Sequence, residues 1–230
     1  MIDWHSHILP NMDDGSRSVS ESMNLLKMLS EQNVDTVVAT PHFYASAESV
    51  QKFLDRRSQC YDKLMSEIPS EVEVPRILLG AEVKYYTGIS AMEDLRKLCM
   101  EGTRLLLLEM PFSEWTEYTI RELNVLASKG VTVVLAHIER YVAFQKAELW
   151  SRLRNNGILM QVNASYFSNL GTRRKAMRLL TGGLVHMIGS DCHSVTFRPP
   201  MIARAYEVIH KRFGEEFISQ MHEYGSSLLV

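Results

Sequence analysis

The sequence predicts an α/β protein whose parallel strands form either an open sheet or a closed barrel. Three observations predict it: seven apolar runs of strand length, helix-spaced stretches between them, and ligand-type polar residues at the ends of nearly all the runs. With 230 residues, 46% of them hydrophobic, the chain can bury one core of barrel size. Its 7 prolines and 12 glycines are scattered at places that read as turns and mark no linker, so a single domain spanning 1–230 is expected.

The first run, Ile2 to Trp4, leads directly into His5. Ser18-Val19-Ser20-Glu21 then reads as a capping box, in which a serine oxygen and the third-position Glu satisfy free backbone N–H groups. Val19, Met23, Leu26 and Leu29 give the first helix one apolar stripe. TVVAT, Thr36 to Thr40, is continuously apolar, as strands buried on both faces are. Val50, Phe53, Leu54, Tyr61, Leu64, Met65 and Ile68 mark a longer second helix, and RILLGAE, Arg76 to Glu82, is the next strand. LLLLE, Leu105 to Glu109, precedes a third helix from about Glu114 to Lys129, which stops at Gly130, a good residue for leaving a helix. Thr132 to His137, Ile158 to Asn163 and Val185 to Ser190 complete the strands. Shorter helices precede Gly157 and the Gly182-Gly183 pair, and the last begins near Pro199-Pro200.

At the C-terminal ends of these strands, or just past them, stand His5 and His7, His42, Glu82, Glu109, His137, Asn163, and then Asp191 and His193. In parallel α/β folds those ends share one face, and in a barrel they converge on the axis. Buried as ordinary core residues, these histidines and carboxylates would each need a partner, because an unpaired buried charge costs several kcal/mol. Bound divalent cations satisfy all of them together. In His5-x-His7 alternation puts both imidazoles on one side of the chain, and Asp191-x-His193 repeats the geometry. Of the adjacent aspartates, one can simply cap the following turn, and Asp14 is the favoured ligand. His5, His7, Asp14, His42, Glu82, Glu109, His137, Asp191 and His193 make nine candidates. An ion takes about four to six ligands, so the set suits two or three ions with bridging carboxylates. The all-nitrogen-and-oxygen donor set favours manganese, iron, zinc or magnesium. His186, expected inside the last strand, and His210 and His222, expected on C-terminal helices, are read as structural.

Closely spaced ions lower the pKa of a bridging water and stabilise a leaving oxygen, so hydrolysis of a phosphoester or an amide is the expected chemistry. Arg140 in HIER and Arg198 in FRPP follow ligand residues closely, and a guanidinium matches phosphate bidentately, which favours the phosphoester. Cys192 and Arg198 also fit the C-x5-R spacing of cysteine-dependent phosphatases. The five intervening residues contain no glycine and two β-branched residues, a poor phosphate cradle, so Cys192 is read as a spacer.

The formal net charge of −2 provides no basic field for nucleic acid. No apolar run reaches about 18 residues, and Asp3 and His5 stand where a signal peptide needs a basic start and an apolar centre, so a soluble, cytoplasmic protein without membrane insertion is expected. Three cysteines at irregular spacing suit a reducing compartment.

HSHILPNMDDGS, ATPHF, the Glu82 and Glu109 strand ends, LAHIERY, MQVNASYF, IGSDCHS and FRPP, in this order over residues 1 to about 210, resemble the polymerase and histidinol phosphatase (PHP) superfamily. They resemble most its manganese-dependent bacterial protein-tyrosine phosphatases of capsular and exopolysaccharide biosynthesis. The H-x-H start is shared by many metal hydrolases, whereas HSHILPxxDDG with HxERY and RPP is specific to this branch. The resemblance implies a distorted seven-stranded (β/α)7 TIM-like barrel, the PHP fold, with a trinuclear metal centre at its C-terminal mouth. It implies that the nine candidates are the metal ligands, that Arg140 and Arg198 bind phosphate, and that these two and Asp191 form the catalytic group. The implied substrate is the phosphotyrosine tail of a membrane-associated bacterial tyrosine kinase. Ile138 stands where the family usually has proline, at the turn that places Arg140. Two other readings stay open: a small-molecule phosphatase such as one for histidinol phosphate, and a non-catalytic, metal-stabilised module that docks on the kinase. The oligomeric state is left open.

Overall fold

The computed structural model describes residues 1–229. Strand and helix alternate along the chain as β1 (Ile2–Ser6), α1 (Val19–Ser30), β2 (Thr36–Ala39), β3 (His42–Phe43), α2 (Val50–Glu67), β4 (Arg76–Leu79), β5 (Glu82–Lys84), β6 (Leu105–Glu109), α3 (Glu117–Ser128), β7 (Thr132–Leu135), α4 (Ala147–Asn155), β8 (Leu159–Asn163), α5 (Ala164–Ser168), α6 (Arg173–Thr181), β9 (Met187–Gly189) and α7 (Ile202–Ser227). All pairings are parallel: β1-β2-β4 form one sheet and β3-β5-β6-β7-β8-β9 the other. The two are segments of one curled sheet, because hydrogen bonds run across the breaks. The Gly80 N–H donates to the Ala39 carbonyl at 2.8 Å and the Glu82 N–H to the Pro41 carbonyl at 3.0 Å. Just past β9 the chain returns to β1, where the Asp191 N–H donates to the His5 carbonyl at 2.7 Å and the His7 N–H to the Cys192 carbonyl at 2.9 Å.

The expected strand Arg76 to Glu82 is therefore two segments, and the expected Thr36 to Thr40 strand is followed, past Pro41, by a short segment that was not expected. Pro41 has no N–H to offer the ladder, which ends β2. Gly80 ends β4 where neighbours crowd its Cα: an added Cβ would lie 3.3 Å from Thr40 Cγ2 and from Val38 Cγ1. His42 and Glu82 thus open short continuation segments rather than closing long strands, and they remain paired in register.

Alternation along the strands sorts the core. Trp4, Val38, Leu78, Leu105, Leu107, Val134 and Met187 pack together inside the curl. Leu106, Leu108, Val133 and Leu135 point the other way, toward the helices. Ser18 caps α1, its hydroxyl accepting from the Glu21 N–H at 3.1 Å. Of the expected stripe, Leu26 and Leu29 are fully buried with Leu25, whereas Val19 and Met23 are only partly covered. α3 starts later than expected because the Thr116 hydroxyl accepts from the Thr119 N–H at 3.2 Å and caps it. His186 lies one residue before β9 rather than within it, where its Nδ1 accepts from the Met160 N–H. His210 and His222 lie, as expected, on C-terminal helices, the two halves of α7 on either side of a kink at Gly214 (φ 82°). The short α5 was not expected. Among the described residues no helix is long and apolar enough to cross a membrane.

Candidate metal centre

All nine expected ligands meet at the C-terminal ends of the strands, and four of the five histidines among them share one organisation. His5 Nδ1 lies 3.2 Å from Gln161 Oε1, His7 Nδ1 lies 2.7 Å from Asp13 Oδ2, His137 Nδ1 lies 3.1 Å from the Tyr141 hydroxyl, and His193 Nδ1 lies 3.0 Å from the Asp191 carbonyl. Gln161 Oε1, the Asp13 carboxylate and a carbonyl can only accept, so His5, His7 and His193 carry their proton on Nδ1. Their Nε2 atoms are the ones turned toward the centre, that of His193 also meeting Arg198.

There the polar atoms crowd. The Nε2 atoms of His5 and His7 are 3.1 Å apart, and Glu82 Oε2 lies 3.3 Å and 3.4 Å from them. His137 Nε2 is 2.8 Å from Glu82 Oε1. Asp14 Oδ1 lies 3.4 Å from His42 Nε2 and 3.5 Å from His193 Nε2. Three overlapping groups result: His7, Asp14, His42 and His193; His5, His7 and Glu82; and His42, Glu82 and Glu109. In each, one ligand atom per residue lies within 4.8 Å of the others. His42 Nδ1 sits 3.0 Å from Glu82 Oε2, yet is buried without an aligned hydrogen bond, as two groups facing a shared cation are. The donors, imidazole and carboxylate, suit divalent ions.

Electrostatics agree with the geometry. Burial raises the Glu82 carboxyl, but His5, His137 and His42 outweigh it and hold it well below the usual carboxylate range. Asp191 is likewise held well below, burial being overcome by His5, His7 and Arg198. For His7 burial opposes the charge, and Asp13, Asp191 and Glu82 together raise it well above an ordinary imidazole. His193 is pushed down to about 4 by burial and by the charges of His7 and Arg198.

Two non-glycine residues here take left-handed backbone, His137 (φ 32°) and Asp191 (φ 51°), a conformation costing on the order of 1 kcal/mol or more each. The turn after His137 closes through the Arg140 N–H to the His137 carbonyl at 3.0 Å and the Tyr141 N–H to the Ile138 carbonyl at 2.8 Å, with Ile138 fully buried. It delivers Arg140, whose guanidinium meets Asp191 Oδ2 at 2.6 Å. Arg198, at the end of the loop after His193, pairs with the same oxygen and reaches His193 Nε2 at 3.0 Å. Both guanidinia are about one-third exposed, at 34% and 32%. A groove of about 470 Å³ opens beside Arg198, lined also by Asp14, Arg17, His193, Thr196 and Phe197.

Four participants were not anticipated. Asp13 caps the turn through Gly15, but it also binds His7 and accepts from the His42 N–H at 2.9 Å. Gln161 accepts from the His137 N–H at 2.7 Å and hands on to Asn163, which donates to Asp191 Oδ2 at 2.8 Å. Tyr141 supports His137, and Lys84 pairs with Glu109 at 2.9 Å. Period-two spacing held a signal for two of them: Gln161 precedes Asn163, and Lys84 follows Glu82, by two residues. Cys192 is fully buried and its thiol is pushed up to about 12 by burial and by Asp3, the opposite of an activated thiolate.

A parallel α/β sheet with a histidine–carboxylate centre at its strand ends and two arginines beside it defines the class of metal-dependent hydrolases. The chain belongs to the capsular polysaccharide synthesis CpsB/CapC family, whose model matches residues 1–229. It is 35% identical to the tyrosine-protein phosphatase CpsB of Streptococcus pneumoniae, over 93% of this chain and 91% of that protein. It is 30% identical to the tyrosine-protein phosphatase YwqE of Bacillus subtilis, over 100% of this chain and 91% of that protein. A solved structure from work on YwqE and CpsB, described as unique metal-dependent tyrosine phosphatases, superposes with a TM-score of 0.85 at 28% identity, covering 100% of this chain and 94% of that one. A Listeria monocytogenes lactonase, at 11% identity and a TM-score of 0.53, shares the fold alone.

Proposed function

We propose that the chain is a metal-dependent protein-tyrosine phosphatase that acts on a tyrosine-phosphorylated bacterial kinase in capsule or exopolysaccharide synthesis. One observation carries the reading: three overlapping imidazole–carboxylate groups lie beside two guanidinia that share one aspartate oxygen. His5, His7, Asp14, His42, Glu82, Glu109, His137, Asp191 and His193 would hold two or three divalent ions, manganese first among them. When bound, the ions supply an activated water and neutralise charge on the phosphoryl oxygens. Arg140 and Arg198 bind and orient the phosphate, and Asp191 holds both guanidinia in place between substrates. The buried Cys192 forms no covalent intermediate. The nine strand segments act as seven staves of a distorted barrel, β2 with β3 and β4 with β5 each counting once, in a single cytoplasmic domain. The test is phosphate release from a phosphotyrosine peptide by manganese-loaded protein. Chelation and His7→Ala should abolish it and Cys192→Ser should not; the reverse pattern sinks the reading.

A further inference from the structure

Outside the ligand set, a cationic groove of about 530 Å³ runs along α6. Arg173, Arg174 and Arg178 of α6 and Arg212 of α7 line it, with Leu170 and Met177 between them. The arginine–carboxylate pairs of the described residues are those of Arg56, Arg140, Arg152, Arg198 and Arg204, so the four groove arginines have none. In a chain of net charge −2 this is a marked local excess of positive charge. It is also locally unfavourable. Arg174 and Arg178 are like charges one helical turn apart, and Arg173, Arg174 and Lys175 occupy a first turn where the helix dipole favours anions. An external anion relieves both.

The groove begins close to the centre. Asn163, which donates to Asp191, leads directly into α5. The last carbonyls of α5, those of Phe167 and Ser168, accept from the Arg173 guanidinium at 3.1 Å and 3.0 Å. A five-residue helix spans roughly 7.5 Å, so the groove opens on the order of 10–15 Å from Asp191. Leu170, 81% exposed, stands on its lip. Arg174 and Arg178 are separated by roughly 6 Å along the helix, close to the roughly 6.6 Å between alternate residues of an extended chain. Guanidinium forks match carboxylate and phosphate groups, and the alternate-residue spacing suits an extended polypeptide.

We propose that this groove is a second binding site, for the acidic polypeptide segment that flanks the phosphotyrosine being hydrolysed. The proposal rests on the phosphatase reading above. Its test compares manganese-loaded full-length chain with the Arg174→Glu/Arg178→Glu variant on three substrates: a phosphotyrosine peptide with glutamates at alternate flanking positions, the same phosphotyrosine flanked by serine and glycine, and p-nitrophenyl phosphate. The variant should lose on the order of tenfold in kcat/KM on the acidic peptide, through KM alone and less so at high salt, with the other two substrates unchanged. Equal loss on all three, or no loss, overturns the proposal. Fluorescence anisotropy with a glutamate-rich peptide lacking phosphotyrosine separates the two readings. If no substrate is turned over, binding to the parent that the variant loses still supports the groove, and absence of binding to the parent overturns it. Binding to phosphatidylserine vesicles in place of the peptide, lost in the variant, also overturns it.

Discussion

Asp13 offers the sharpest separation between a residue that organises the centre and one that merely lines it. Its carboxylate holds His7 Nδ1 at 2.7 Å and accepts from the backbone N–H groups of Gly15 at 2.9 Å and His42 at 2.9 Å. Replacing it with asparagine keeps one acceptor and removes the charge that raises the basicity of His7. Loss of such an orienting partner lowers metal affinity about 10- to 100-fold, or roughly 1.4–2.7 kcal/mol. Asp13→Ala goes further. With the side chain only 7% exposed, it strands the two N–H groups, at about 1–3 kcal/mol each. At 2–4 °C per kcal/mol for a chain of this size, the metal-free Tm should fall by roughly 4–24 °C. Asp14→Asn is the control, since Asp14 is 69% exposed and makes no comparable backbone bonds: it should weaken manganese binding while moving the metal-free Tm by about 2 °C or less. Chelator-competition titration and metal-free melts measure both quantities. Manganese affinity of Asp13→Asn equal to that of the parent, or identical behaviour of the two alanine and asparagine series at positions 13 and 14, would refute the orienting role.

The other predictions probe the clamp, a buried charge and a close approach. Arg198→Ala should lower kcat/KM on a phosphotyrosine peptide by about 10²–10³ while manganese binding stays within threefold, and a parallel loss of metal would show that Arg198 serves the ligands instead. Asp3 is fully buried, its Oδ2 has no partner, and burial raises its carboxyl to about 6 from 3.8 despite hydrogen bonds from Ser190 and His5. A raised carboxyl binds its proton more tightly when folded, so the chain loses on the order of 3 kcal/mol as pH rises from about 4 through 6. Asp3→Asn should flatten that slope in metal-free melts and raise the Tm at pH 7.5; an unchanged slope excludes Asp3 as its source. Gly189→Ala places a Cβ 2.5 Å from His5 Cβ and 2.9 Å from the His5 nitrogen, so this variant should destabilise by several kcal/mol and lose metal, seen as a collapsed melt and no manganese uptake.

Much of this was legible because the strands are buried on both faces and the ligands interrupt them at one end. LLLLE or TVVLAH announces a strand by its apolar run and a site by its last residue. What escaped was backbone geometry and neighbour choice. No periodicity reveals that Pro41 and Gly80 split their strands, or that Asp191 and His137 turn through left-handed conformations. The supporting residues escaped for a related reason. Gln161 and Tyr141 are common residue types in apolar surroundings, and only the curl of the sheet brings Gln161 to both His5 and His137. The two adjacent aspartates divide in a way their spacing did not settle: Asp13 accepts from the Gly15 N–H and holds His7, while Asp14 faces His42 and His193.

Asp191 shows why the arginines and the ligand set belong to one device rather than two adjacent ones. Its Oδ1 faces the imidazoles, 3.6 Å from His5 Nε2 and 3.5 Å from His7 Nε2. Its Oδ2 takes Arg140, Arg198 and Asn163. One buried carboxylate therefore answers to both the cationic centre and the anion clamp, and it is fixed between them by left-handed backbone and by the amide of Asn163. Charge added on the Oδ1 side weakens the hold of Oδ2 on the guanidinia, and an anion arriving at the guanidinia competes for the same oxygen. On the proposed function, occupancy of the centre and readiness of the two guanidinia would be coupled through this single residue. Substituting Asp191 by asparagine should consequently impair metal binding and substrate KM together, whereas Arg198→Ala separates them.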